Sequence, residues 1–295
     1  MRWLFVICVV LLLAGCETET LDSFAEASDV AKSAAPRDAK HAATLRFVVD
    51  GKTVKTFRKS ALMDQIDVKR VSGFDPYYSA TKTFRALAIE RVLELGFGER
   101  AGALQARHFV LRASDGYEVP IDGSRLLEPG GYLAVADVDV PGWQPIGAQA
   151  AHPGPFYLFW ENDNQRDLVT HPRPWQLATI EISRFESSYP HTVPAGAAAD
   201  SAAMKGFALF REQCIRCHAV NREGGKIGPD LNVPRSIVDY RPEQQIRAYI
   251  RDPASFRFGN MPSNPHLSDA DLDALLAYLK AMSEQKIDVD STGGH

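Results

Sequence analysis

Two cysteines and a histidine stand together in the last third of the chain, as Cys214-Ile215-Arg216-Cys217-His218. Each member can do separate chemistry. On a helical turn the two-residue gap matches two thiols to the two vinyl groups of a porphyrin. The histidine that follows directly can raise its imidazole beneath the iron. The pattern is therefore that of an attachment sequence for one covalent haem c, with Cys214 and Cys217 as anchors and His218 as an iron ligand. Two other uses of paired thiols compete with it. A thioredoxin-like redox pair uses the same Cys-x-x-Cys but needs a βαβ setting, whereas this pair closes a helical stretch. A structural zinc site needs three or four thiolate or imidazole ligands in one cluster.

The chain has four cysteines, and the other two are Cys8 and Cys16. Arg2 precedes an unbroken apolar run over residues 3–13. That is shorter than the roughly 20 residues of a permanent membrane span, and it reads as an export signal. Leu13-Ala14-Gly15-Cys16 resembles a bacterial lipobox. The resemblance implies a lipoprotein signal peptide over residues 1–15 and lipidation of Cys16; an ordinary signal with an incidental cysteine is the alternative. Cys8 would leave with the signal, so Cys214 and Cys217 would be the only unmodified thiols in the folded protein. That leaves too few for a four-thiolate zinc site or a disulfide framework. Glu17 after the cysteine points to the outer membrane. The expected location is the periplasm of a Gram-negative bacterium, with the membrane reached through the lipid anchor and two or more acyl chains holding it firmly. The formal net charge of −4, without blocks of one sign, gives no clustered basic face for nucleic acid.

Composition then divides the chain into two domains. Residues 16–43, rich in Ala, Ser, Asp and Glu, suit a flexible tether. Residues 44–190 read as α+β and rich in strands. Strand-like runs fall at 44–49, 53–57, 108–112, 132–138, 156–160 and 176–182, with hairpin signals at Asp50-Gly51 and Asp115-Gly116. One helix is expected over 84–95. A stretch with Pro194, Gly196 and a run of alanines marks a linker at 191–203. Residues 204–285 read as all-α, with helices near 203–213, 242–251 and 269–282, and 286–295 as a flexible tail. Leu272, Leu275, Leu276 and Leu279 form an apolar stripe on the last helix. Ser268 with Asp271 has the spacing of a capping box.

With Gly206, Phe207 and Phe210 leading by helical spacing into Cys214, residues 203–284 resemble the class I monohaem cytochromes c. The resemblance implies a haem-bearing helical fold in which the helix before the motif crosses the last one. It implies that Gly228-Pro229-Asp230-Leu231 is the loop beneath the proximal histidine, Pro229 accepting a hydrogen bond from the ring nitrogen that faces away from the iron. It also places the sixth ligand at Met261, in Gly259-Asn260-Met261-Pro262. A thioether there favours ferrous iron. His266 in the same loop is the competitor, and a bis-histidine site would have a much lower potential. Met204 and Met282 read as packing residues, and Met63 lies in the other domain. Tyr249 and Arg235 are either propionate partners or ordinary core and surface residues.

Residues 44–186 carry Asp115-Gly116-Tyr117, Gly154-Pro155-Phe156-Tyr157-Leu158 and Pro174-Trp175 through Ile180-Glu181-Ile182. In that order they are similar to the sulfite-oxidase-type molybdopterin-binding fold; an unrelated α+β domain is the alternative. Catalytic members hold molybdenum through a cysteine, and none occurs between Glu17 and Gln213. A cofactor-free relative is expected, one that docks a partner or supports the haem domain. The whole chain then reads as an electron carrier without a catalytic residue, exchanging single electrons with a redox-protein donor and acceptor. A haem subunit of a larger oxidoreductase and a haem-based redox or gas sensor remain the alternatives.

Overall fold

The computed structural model describes residues 43–147, 149–259 and 261–287. The signal peptide at 1–15, the lipidation site Cys16, the tether up to residue 42 and the tail beyond 287 lie outside the described residues, as does Asn260. In chain order the elements are β1 (Thr44–Val49), β2 (Lys52–Arg58), α1 (Lys59–Gln65), β3 (Lys69–Asp75), β4 (Ala80–Ala88), α2 (Ile89–Phe97), α3 (Ala101–Leu104), β5 (His108–Ala113), β6 (Glu118–Asp122), α4 (Gly123–Leu126), β7 (Gly131–Asp137), β8 (Tyr157–Trp160), β9 (Leu177–Ile182) and α5 (Phe185–Ser188). The last third holds α6 (Ala202–Glu212), β10 (Ala219–Val220), β11 (Glu223–Gly224), α7 (Ile237–Tyr240), α8 (Glu243–Arg251) and α9 (Asp269–Ser283).

The first region is β-rich and α+β, built on two sheets. One runs β2-β1-β9-β5-β6 and the other β3-β4-β7-β8. Among the described residues only β1 and β9 pair in parallel; the neighbours on either side are antiparallel. Between the layers lies the largest core, with Leu45, Phe47, Leu111, Leu133, Trp160 and Ile180 all buried. Asp50-Gly51 does join β1 to β2 in register Val49↔Lys52, and Asp115-Gly116 sits between β5 and β6.

The expected helix at 84–95 divides into two elements. Its first half is the end of β4, where Lys82, Phe84 and Ala86 alternate inward past exposed Arg85. The helix proper starts at Ile89. Apolar residues at 84, 86, 87, 89, 92 and 93 satisfy both periods, and pairing with β3 and β7 decides for strand.

The second region is helical, and one departure from all-α is the small hairpin β10–β11. Among the described residues no helix is long and apolar enough to cross a membrane. Helices α6 and α9 cross where a side chain on Gly206 would place its Cβ 1.9 Å from the Ala274 carbonyl oxygen. Only a glycine lets the backbones come that close. Around the crossing Phe207, Phe210, Leu272, Leu275 and Tyr278 pack together with Val110, Phe185 and Tyr189 from the first region. The two regions therefore share a core. Tyr278 donates to the Thr192 carbonyl at 2.8 Å and Tyr189 to Glu118 at 3.0 Å, so buried hydroxyls pin the chain between them.

Candidate functional site

Helix α6 begins at Ser201, whose hydroxyl accepts from the Met204 amide at 3.3 Å, and buries Gly206, Phe207 and Phe210. It ends in a 3-10 turn, Cys214–Arg216. The amides of Cys217 and His218 both donate to the Cys214 carbonyl, at 3.1 and 2.9 Å. This turn winds Cys217 and His218 back over Cys214, so the three reactive side chains come from one tight coil.

The loop after the motif closes against it. Gly225 N–H donates to the Ile215 carbonyl at 2.7 Å and Gly228 N–H to the Cys217 carbonyl at 2.8 Å. Residue 228 has no room for a side chain, because a Cβ would lie 2.3 Å from Cε1 of the His218 ring. Asp230 fixes the loop: one carboxylate oxygen accepts from the amides of Asn232 and Val233 at 2.7 and 2.9 Å, the other from Arg222 N–H at 2.6 Å. The Pro229 carbonyl lies 2.9 Å from His218 Nδ1. A carbonyl only accepts, so Nδ1 carries the proton and Nε2 keeps its lone pair for a metal. Burial also holds the His218 pKa below its usual value, against the opposing pull of Pro229 and Asp230, which keeps the imidazole neutral and able to ligate.

Cys214 and Cys217 are free thiols. Burial raises their pKa values to about 12 and about 11. A thioredoxin-type nucleophile is the reverse, since it works by a depressed thiol pKa at an electropositive position. Among the described residues no three His, Cys, Asp or Glu side chains gather as a metal-binding group. The pair thus fits neither a dithiol redox centre nor a zinc site. It fits covalent attachment of a porphyrin whose iron His218 would ligate, and the cradle at Gly228 accommodates that ring alone.

Met261 is half-buried in the loop before α9. That loop is tied to the end of α8 through Asn264, whose amide reaches the Arg251 carbonyl at 3.1 Å while its side chain bridges the carbonyls of Ile250 and Pro262. His266 is engaged elsewhere, with Nε2 3.1 Å from Gln213 Oε1. Tyr249 OH accepts from Arg257 at 2.8 Å and Arg235 donates to the Asp239 carbonyl at 3.1 Å. Ser268 and Asp271 form the capping box that opens α9. Four of the five exposed large apolar side chains among the described residues are Ile227, Tyr240, Phe256 and Phe258. They lie in the sequence between the motif and Met261.

Residues 203–283 match the family model described as Cytochrome c. They form a cytochrome c domain. The domain supports a haem-based electron carrier, and the family binds its haem covalently. The chain is also similar to a protein named cytochrome c oxidase subunit 2 from Alkalihalophilus pseudofirmus, 37% identical over 90 residues, which covers 28% of this chain and 26% of that one. The chain thus spans about a quarter of that relative's length.

Sequence reasoning about the cytochrome c domain missed its contacts with the β-rich region. Arg216, one of the two residues between the cysteines, is buried. It donates to the carbonyls of Leu168 and Val169 at 2.7 and 2.6 Å. Lys226 N–H donates to the Gly116 carbonyl at 2.8 Å. Asn221 and Asn232 bond each other at 2.8 Å and reach the carbonyls of His191, Gln285 and Met282. None of these has a sequence signature, because their partners lie 11 to 64 residues away or more.

Proposed function

We propose that the protein is a membrane-anchored electron carrier whose single haem is bound by Cys214 and Cys217 and ligated by His218 and Met261. The observation that carries this reading is the coil of Cys214, Cys217 and His218 with the Pro229 carbonyl holding Nδ1. It presents two thiols kept protonated at neutral pH and one oriented, neutral imidazole. When bound, the haem supplies a one-electron Fe(III)/Fe(II) couple. The chain's own residues would do the rest: His218 and Met261 would hold the iron, Cys214 and Cys217 would anchor the porphyrin, and exposed Ile227, Phe256 and Phe258 would offer it apolar surface. With both residues ligating, the iron would have no open position for substrate, and electrons would pass by the outer sphere to and from redox-protein partners.

The periplasmic location and the lipid anchor at Cys16, at the outer membrane, are supported by the apolar run and the lipobox-like Leu13-Ala14-Gly15-Cys16. The strand-rich region is proposed as a cofactor-free relative of the sulfite-oxidase-type fold, on its ordered motifs and the lack of any cysteine from Glu17 to Gln213. A second reading, a haem subunit within a larger oxidoreductase, is favoured by the similarity to an oxidase subunit. The test is spectroscopic. The reduced protein should be low-spin and inert to CO, the oxidised protein should show a red-region Met-to-ferric band, and M261A should lose both properties. A high-spin wild type that binds CO rapidly would overturn the carrier in favour of a sensor.

A further inference from the structure

We propose that Arg216 tunes the haem potential, its charge being held beside the Cys217 anchor by the carbonyls of Leu168 and Val169 in the β-rich region. The inference rests on the haem assignment above. Arg216 retains only 8% of its accessible surface, and a guanidinium removed from water needs partners. It finds two carbonyl oxygens, at 2.7 and 2.6 Å, and the side chain of Tyr117. Its Nε has no partner, so the cation is well placed but incompletely compensated.

The acceptors are held in place. Asp167 turns the loop that carries them, its Oδ1 accepting from the amides of Val169 and Thr170 at 2.9 and 2.8 Å and from the Thr170 hydroxyl at 3.1 Å. A charge on this face cannot swing into solvent without leaving both carbonyls.

Other charges must be weighed. Asp115 must be counted as well, its carboxylate taken by Trp175 Nε1 at 2.9 Å and by Tyr117 N–H at 2.9 Å. Arg216 also borders a cavity of about 290 Å³ with His108, Asp122, Arg211 and Glu212. There Asp122 is engaged by His108 at 2.6 Å, and Arg211 stacks over the Phe185 ring at 4.3 Å.

The sign follows from Coulomb's law. Ferric haem carries one more positive charge than ferrous, so a fixed cation nearby disfavours the oxidised state, and low dielectric strengthens the effect. Arg216 therefore raises the potential, and the β-rich region contributes by keeping the guanidinium in place.

The experiment is a redox titration of the full-length, haem-loaded protein and three variants. R216M should lower the ferrous-to-ferric ratio at fixed ambient potential about tenfold, about 59 mV for one electron. R216K, which keeps the charge but loses the planar fork, should recover most of that change. D115N, which removes the opposing charge while keeping an acceptor for Trp175, should shift the ratio the other way. An R216M potential equal to wild type, or an R216K shift as large as that of R216M, would overturn the inference. If R216M fails to take up haem, R216Q decides instead, and a potential equal to wild type would overturn it. A wild-type chain without covalent haem would overturn the functional reading as well; haem present with unmoved potentials would overturn this inference only.

Discussion

At the scale of single residues, the chemistry is set by what surrounds three side chains. Pro229 and Gly228 act on the same ring, one by accepting its proton and the other by leaving it room. Replacing Gly228 with alanine drives a methyl into the His218 ring at 2.3 Å. The expected cost is about 1–3 kcal/mol, typical of overpacking, and chemical denaturation of the loaded protein should show it together with a weakened low-spin spectrum. The thiols offer a second check. With burial raising Cys214 to about 12 and Cys217 to about 11, the reactive thiolate is scarce at neutral pH. In the haem-free chain alkylation should be slow at pH 8, slower than for an ordinary cysteine of pKa near 8.5, and should quicken only as the pH approaches those values. Fast alkylation at pH 8 would mark a redox-active pair instead.

Elements carry the site through close crossings and anchored loops. Helices α6 and α9 touch at Gly206, and G206A would push its Cβ to 1.9 Å from a backbone carbonyl, which cannot move aside as a flexible side chain can. Thermal unfolding should show a loss at or above the overpacking range of about 1–3 kcal/mol. The Asp167 loop gives a pH test. Its carboxylate is held below its usual pKa, first by the Thr170 amide. The folded value is depressed, so its stabilisation is present above the unfolded value of 3.8 and is lost as pH falls below it. D167N should therefore unfold at lower denaturant than wild type at pH 7, with the gap closing below that value. Much at this scale was legible from sequence because it is local. Cys-x-x-Cys-His, the Ser268–Asp271 cap, the leucine stripe of α9 and the Asp50-Gly51 turn all state their structure within a few residues. Strands β3 and β6 and the strand half of 84–95 were not legible, since partners far along the chain select strand over helix. Arg216 was invisible for the same reason: its acceptors lie 47 and 48 residues upstream.

For the whole molecule, the shared core means that the helical region's packing extends before residue 203, where its family match begins. Phe185 packs on Phe207 at 5.8 Å between ring centres, and the Thr192 carbonyl satisfies buried Tyr278, yet both residues precede 203. A fragment starting at residue 200 should unfold at a lower temperature than one starting at 184, and calorimetry of the two loaded fragments would measure the difference. If Arg216 tunes the haem as proposed, the β-rich region contributes to the haem's environment. The single Cys-x-x-Cys-His sequence implies one covalent haem per chain. The most direct test is mass spectrometry of the denatured protein after expression with haem-attachment machinery. The mass should increase by one haem per chain, an increase that survives denaturation and disappears in the C214A/C217A double variant. A wild-type chain bearing no covalent haem, or a double variant that keeps it, would contradict the account.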